Sequence, residues 1–216
     1  MESVWWLLKQ IYKKGLMYKG YTIQPYSPKA GTAISSHELN QPGTYQDVTD
    51  TTVTAQFKLI KDNLPDFLHS EDDVFVLAWT TTPWTLPSNT ALTVGPKINY
   101  SLIKSFNQYT GVKADYIVAD ELISKQFAGN YFEVNDLKEI KNYEFDAKSI
   151  PYYKKSTFKG KDLENIKYEQ LLDYATPFSN AENAFRIIIG DFVTTSDGTG
   201  IVHTACLLYT SDAADE

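Results

Sequence analysis

The pattern of apolar and polar positions changes character once, near residue 45. Before it, Val4, Leu8, Ile11 and Tyr12 recur at helical spacing. Ser3 precedes them as a cap, and Lys13, Lys14 and Gly15 form a stop, so residues 3–14 are expected to form a helix. The segment "YTIQPYSPKAGTAISSHELNQPGTY" is dense in Pro, Gly, Ser and Thr and reads as turns with short strands. From about Tyr45 the period shortens. "VTAQFKLI", "VFVLAW", "NYSLIK", "ADYIVA", "RIIIGDFV" and "GIVHTA" carry the β-branched and aromatic residues that suit pleated, half-buried surfaces. "DELISKQF" and "LENIKYEQLLDY" are spaced as short helices. The expected fold is mixed α/β and mainly β: a β-barrel-like domain with short helical insertions, preceded by a helix and a turn-rich connecting segment. Its expected boundaries are residues 1–44 for the connecting region and 45–205 for the β-rich domain.

The last eleven residues, "CLLYTSDAADE", break the pattern directly after "GIVHTA". Their reverse translation fits a transposon adapter used in preparing DNA libraries. Residues 206–216 are therefore expected to be a non-native tail, leaving the β-rich domain incomplete at its C-terminal end. Cys206, the one cysteine, goes with them, so no internal disulfide can form.

At 43% hydrophobic and 22% charged residues, the composition is that of an ordinary soluble domain. No apolar run approaches the roughly 18 residues that suggest a membrane span. The first residues lack the charge order of a secretory signal, and a reducing cytoplasm is the expected location. A net charge of −7 excludes a stand-alone binder of nucleic acid. Lys154, Lys155, Lys159, Lys161 and Lys167 are expected to form a solvated loop rather than a phosphate site.

Two motifs carry chemistry. In "AWTTTPWTLPSNTALTVG", six of eighteen residues are threonine. Thr80, Thr81 and Thr82 end a predicted strand, and Pro83 stops ladder pairing. Each hydroxyl donates one hydrogen bond and accepts two, so the group suits holding a water or a ribose hydroxyl. No base stands beside it in sequence to make a threonine nucleophilic. In "DGTGIVHTA", Gly198 and Gly200 permit a tight turn and close backbone approach, and His203 follows on the strand. His37 and His69 read as structural. No His, Cys, Asp or Glu grouping has metal-ligand spacing, so no metal is expected.

"TTTPWTLPSN" together with "GTGIVHTA" resembles the editing insertion of isoleucyl-tRNA synthetase, a class I enzyme. "ESVWWLLKQIYKKGLMYKGYTIQPYSPKAGTAISSHE" resembles the segment leading into it, so the resemblance spans residues 1–205. In the valyl and leucyl relatives an arginine stands where this chain has Thr82, and the Pro83–Trp84 pair is missing.

The resemblance implies hydrolysis of misactivated valine, either as valyl-tRNA for isoleucine or as valyl-adenylate. Binding alone separates isoleucine from valine by only about 150-fold, isoleucyl enzymes being themselves the standard case for that figure. A second, smaller site then removes the errors. Thr80, Thr81, Thr82 and His203 would be its catalytic group, the threonines holding ester and water and His203 limiting the pocket near the terminal ribose. Trp84, Asn89, Gly198, Thr199 and Gly200 would frame the substrate. No cofactor is implied for this segment; ATP and magnesium would serve the parent enzyme. Its two ATP signatures, His-x-Gly-His and Lys-Met-Ser-Lys-Ser, do not occur here. The family has an ammonium-binding aspartate nine residues after the histidine; Asp212 stands at that spacing only by chance, inside the tail, and the role is not carried over to it. A non-catalytic β-rich binding module and a valyl-enzyme editing domain are the alternative readings.

Overall fold

A computed structural model describes residues 1–20, 24–62, 64–146, 148–174, 176–177 and 180–205. The chain divides into two units, one running from Met1 to Thr49 and the other beginning at Asp50. The expected tail lies outside the described residues.

The first unit holds α1 (Glu2–Lys13), a hairpin of β1 (Tyr26–Ser27) and β2 (Thr32–Ala33), and α2 (Ser36–Leu39). Met1, not Ser3, takes the N-cap position of α1: its carbonyl accepts from Val4 N and Trp5 N, and Ser3 lies inside the first turn. A reciprocal capping box closes α2. Ser35 Oγ accepts from Glu38 N at 3.3 Å, and the Glu38 carboxylate accepts from Ser35 N at 2.7 Å.

The second unit is mainly β. Its strands are β3 (Val53–Lys58), β4 (Val74–Thr80), β5 (Asn89–Val94), β6 (Asn99–Phe106), β7 (Lys113–Ala119), β8 (Tyr131–Glu133), β9 (Ile150–Lys159), β10 (Arg186–Ile189) and β11 (Ile201–Ala205). Two short helices, α3 (Ile123–Gln126) and α4 (Leu137–Lys141), interrupt them. Six strands form one sheet in the order β3-β4-β7-β6-β9-β8, and three form another in the order β10-β5-β11. β3 and β8 remain edges of the larger sheet, so the barrel-like expectation holds only loosely: the sheets share a core without closing into one cylinder. Among the described residues no helix is long and apolar enough to cross a membrane.

Both faces of β6 and β7 are covered, so the polar residues on them need partners. Ser101 Oγ donates to Asp120 at 2.5 Å, and Ser105 Oγ donates to Pro151 O at 2.9 Å. Asp115, fully buried, lies between Lys104 and Lys155.

Three segments depart from expectation. Residues 163–174 do not form a helix. Asn165 takes a left-handed conformation, and the backbone beyond it is consumed by pairing: Ile187 N donates to Ile166 O, Tyr168 N to Phe185 O and Ile60 N to Lys167 O. Long-range pairing outcompetes the local helical spacing, and this stretch joins the two sheets through bridges to Leu59 and Arg186. Lys154, Lys155 and Lys159 lie on β9 instead of a solvated loop. Lys154 pairs with Asp120, and Lys159 Nζ donates to Lys97 O. Finally, β10 stops at Ile189, before the Gly190 that the predicted strand ran through.

Candidate functional site

β4 leaves the large sheet at Thr80, and Pro83 opens a short 3-10 segment, Pro83–Ser88, that leads into β5. β11 pairs with β5 so that His203 stands opposite Leu92. Strand order alone thus brings the end of the threonine run beside the histidine. A cavity of about 340 Å³ lies there, lined by Trp79, Thr80, Thr81, Thr82, Phe192, Thr194, Ser196 and the run 197–203.

The hydroxyls differ in commitment. Thr80 Oγ1 accepts from Thr82 N at 3.0 Å and lies 3.3 Å from Thr82 Oγ1. Thr81 is exposed, and its hydroxyl has no protein partner among the described residues.

His203 is buried, and both of its ring nitrogens are occupied. Asn89 Nδ2 is 3.2 Å from Nδ1, and Thr85 Oγ1 is 2.8 Å from Nε2. The protons can be placed by elimination. Asn89 Nδ2 donates to Ala91 O at 2.9 Å and Asn89 Oδ1 accepts from Tyr168 OH at 2.6 Å, which fixes the amide orientation. Nδ1 must then accept, and Nε2–H donates to Thr85 Oγ1, whose own proton goes to Thr82 O at 2.7 Å. The result is a one-way chain, Tyr168 to Asn89 to His203 to Thr85 to the backbone of Thr82. Burial holds the imidazole below its ordinary value, so it is neutral and has no free nitrogen to act as a base.

This carries a pH consequence. Above about pH 6.5 the folded and unfolded chains both hold His203 neutral. As pH falls, the unfolded state takes up the proton first, and stability is lost down through the lowered native value. Unfolding free energy measured between pH 7.5 and 5 should therefore fall more steeply for the wild type than for His203→Gln; equal slopes would contradict the assignment.

The glycine turn is pinned from three sides. Thr199, buried, accepts from Trp79 N at 3.3 Å through its hydroxyl and from Ala119 N at 2.9 Å through its carbonyl. Tyr100 OH donates to Gly200 O at 2.6 Å. Gly198 and Gly200 have φ of 69° and 70°. A Cβ on Gly198 would stand 2.8 Å from the Trp79 ring, and one on Gly200 would stand 2.4 Å from Ala119 Cβ. Either change to alanine should cost about 1–3 kcal/mol in chemical denaturation, from backbone strain and overpacking together.

The structure thus brings together Thr80, Thr81, Thr82, Gly198, Thr199, Gly200 and His203 round one space. Asn89 stands behind His203, not on the cavity. Trp84 is 69% exposed and is not among the lining residues; the tryptophan that lines the cavity is Trp79. Sequence reading missed Thr85 and Tyr168, the two ends of the histidine's chain of partners. Of the other histidines, His69 Nε2 bonds Leu64 O at 2.8 Å, a structural role. Among the described residues no three His, Cys, Asp or Glu side chains are grouped to hold a metal ion.

Residues 1–182 match the family model described as tRNA synthetases class I (I, L, M and V). The isoleucine–tRNA ligase of Bacteroides fragilis is 53% identical over 213 residues, 99% of this chain and 18% of that protein. That of Cytophaga hutchinsonii is 54% identical over the same share of each. The chain thus spans 18% of the length of these curated relatives. Among solved structures, the editing domain of P. knowlesi cytosolic leucyl-tRNA synthetase aligns with a TM-score of 0.49 at 13% identity, covering 71% of this chain and 58% of that one.

Proposed function

The chain belongs to the class I tRNA synthetases (I, L, M and V), and from that premise we propose that its threonine-lined cavity hydrolyses valine wrongly joined to the tRNA for isoleucine. The whole protein would attach isoleucine to that tRNA using ATP, and this segment would proofread the product. The observation that carries the reading is the convergence of three threonine hydroxyls and a locked, neutral imidazole on one cavity of about 340 Å³.

The reaction needs a water held beside an ester carbonyl. Thr81, with its uncommitted hydroxyl, is the group that holds the water or the ribose oxygen next to it. Thr80 and Thr82, bonded to each other, give that position a fixed floor. Attack forms a tetrahedral oxyanion, and its collapse returns the ribose hydroxyl and free valine, with no covalent enzyme intermediate. Rate comes from orientation of the water and from donors already aimed at the developing charge. His203 serves as a wall. With both nitrogens held, the ring cannot swing aside to admit a larger side chain.

The test is release of amino acid from valyl-tRNA and isoleucyl-tRNA for isoleucine, each incubated with the chain. Valine should be released well above the buffer rate, and isoleucine near it. Equal release of both, or no release of valine above buffer, would refute the proposal.

A further inference from the structure

We propose that Tyr168 is a positioning residue of the threonine-lined cavity: its hydroxyl, acting through Asn89, holds the His203 ring in the place where it limits the side chain admitted. This rests on the reading of that cavity as an ester site with His203 as its wall.

Tyr168 is not among the residues that line the cavity. It is buried on the stretch that joins the two sheets, where it bridges to Leu59 and its N–H donates to Phe185 O at 2.9 Å. Its ring stands edge-on to Phe57, with centroids 5.3 Å apart, and to Phe185, at 6.2 Å. A phenylalanine would make the same ring contacts. The hydroxyl has one protein partner among the described residues, Asn89 Oδ1 at 2.6 Å. Burial pushes the phenol above its ordinary value, against a smaller opposing effect of Asn89, so it stays protonated and donates.

What that bond decides is the plane of the Asn89 amide. Nδ2 carries two hydrogens and has three acceptors within reach: Ala91 O at 2.9 Å, His203 Nδ1 at 3.2 Å and Thr204 O at 3.5 Å. Ala91 O takes the first hydrogen. The second can go to the imidazole or to Thr204 O, and a rotation of the amide exchanges the two. With Oδ1 tied to the phenol, the amide is held at both ends and the second hydrogen stays on Nδ1. Without the phenol, Oδ1 is a buried acceptor that has lost its donor, and the amide turns on its remaining anchor. The imidazole then keeps only Thr85, at Nε2, and can rock about that bond. The wall between valine and isoleucine loses its fixed position although no group lining the cavity has been removed.

The experiment compares the 216-residue chain with its variants Tyr168→Phe and Phe57→Leu. Phe57→Leu loosens the same ring packing but keeps the hydroxyl. In the wild type, nitrogen NMR of labelled histidine at about pH 8, where His203 is neutral, should show Nδ1 unprotonated and shifted upfield by the bond it accepts. In Tyr168→Phe that signal should move downfield, toward the position of a ring nitrogen that accepts no bond. The ratio of valine to isoleucine released from the two aminoacyl-tRNAs should fall about tenfold in the same variant. Phe57→Leu should change neither. A protonated Nδ1 in the wild type would overturn the inference while leaving the reading of the cavity intact. So would an unmoved signal, an unchanged ratio or loss of the folded state in Tyr168→Phe, or the same changes in Phe57→Leu. Release of valine no faster than isoleucine by the wild type would overturn both.

Discussion

Replacing His203 by alanine should give a chain that hydrolyses isoleucyl-tRNA measurably and valyl-tRNA more slowly. The imidazole is held on both nitrogens, by Thr85 and Asn89, so its removal opens the space that the ring fills. One additional methylene is worth about 1–3 kcal/mol of discrimination in such a site, or roughly 10- to 200-fold, and that is the margin expected to shrink. Valyl hydrolysis slows because Thr85 loses its partner and the loop carrying Thr82 loosens. Thr82→Ala should act in the same direction. The comparison is best made with residues 206–216 replaced by the relatives' own continuation. If both variants lose valyl activity and gain none toward isoleucyl-tRNA, these side chains only orient the substrate, and the steric limit belongs elsewhere in the cavity.

The largest loss of stability is expected from Asp115→Ala. Its carboxylate is fully buried, with Lys155 Nζ at 2.8 Å and Lys104 Nζ at 3.1 Å. Burial alone would lower the Lys104 ammonium, but Asp72 and Asp115 more than offset it and hold it above its ordinary value. Without Asp115, Lys104 keeps only Asp72, at the rim of a sheet covered on both faces. Stranding a buried charge costs about 3–5 kcal/mol, so the urea unfolding free energy should fall by that amount. Asp115→Leu combined with Lys104→Met should recover part of the loss, because an apolar pair of similar volume often matches a buried ion pair, while Lys155 and Asp72, left without these partners, are partly exposed and keep access to water. A single variant within about 1 kcal/mol of the wild type would show that the pair is not holding the sheet.

The parts of this fold legible in the sequence were those where side-chain pattern and burial agree. "VFVLAW" and "ADYIVA" became β4 and β7 because their apolar residues fill both faces of a covered sheet. β5 was hidden inside the threonine-rich stretch. It was not among the expected strands, and only the flanking β10 and β11 make it a central strand. Residues 163–174 misled in the opposite way, since local helical spacing says nothing of the partners at Leu59 and Ile60 or at 185–187. The same limit applied to the cavity. Thr80, Thr81, Thr82 and His203 stood out as motif residues, but Thr85 and Asn89 reach His203 across 118 and 114 positions, and Tyr168 reaches Asn89 across 79. No local pattern carries such a chain of hydrogen bonds.

Whether the threonine-lined cavity receives a valyl ester is decided by a crystal structure with bound adenosine that carries valine on its ribose in a non-hydrolysable amide linkage. The valine side chain should lie against the His203 ring, with the ribose or an ordered water on Thr81 Oγ1. Density for the analogue outside this cavity, or a valine side chain turned away from His203, would contradict it.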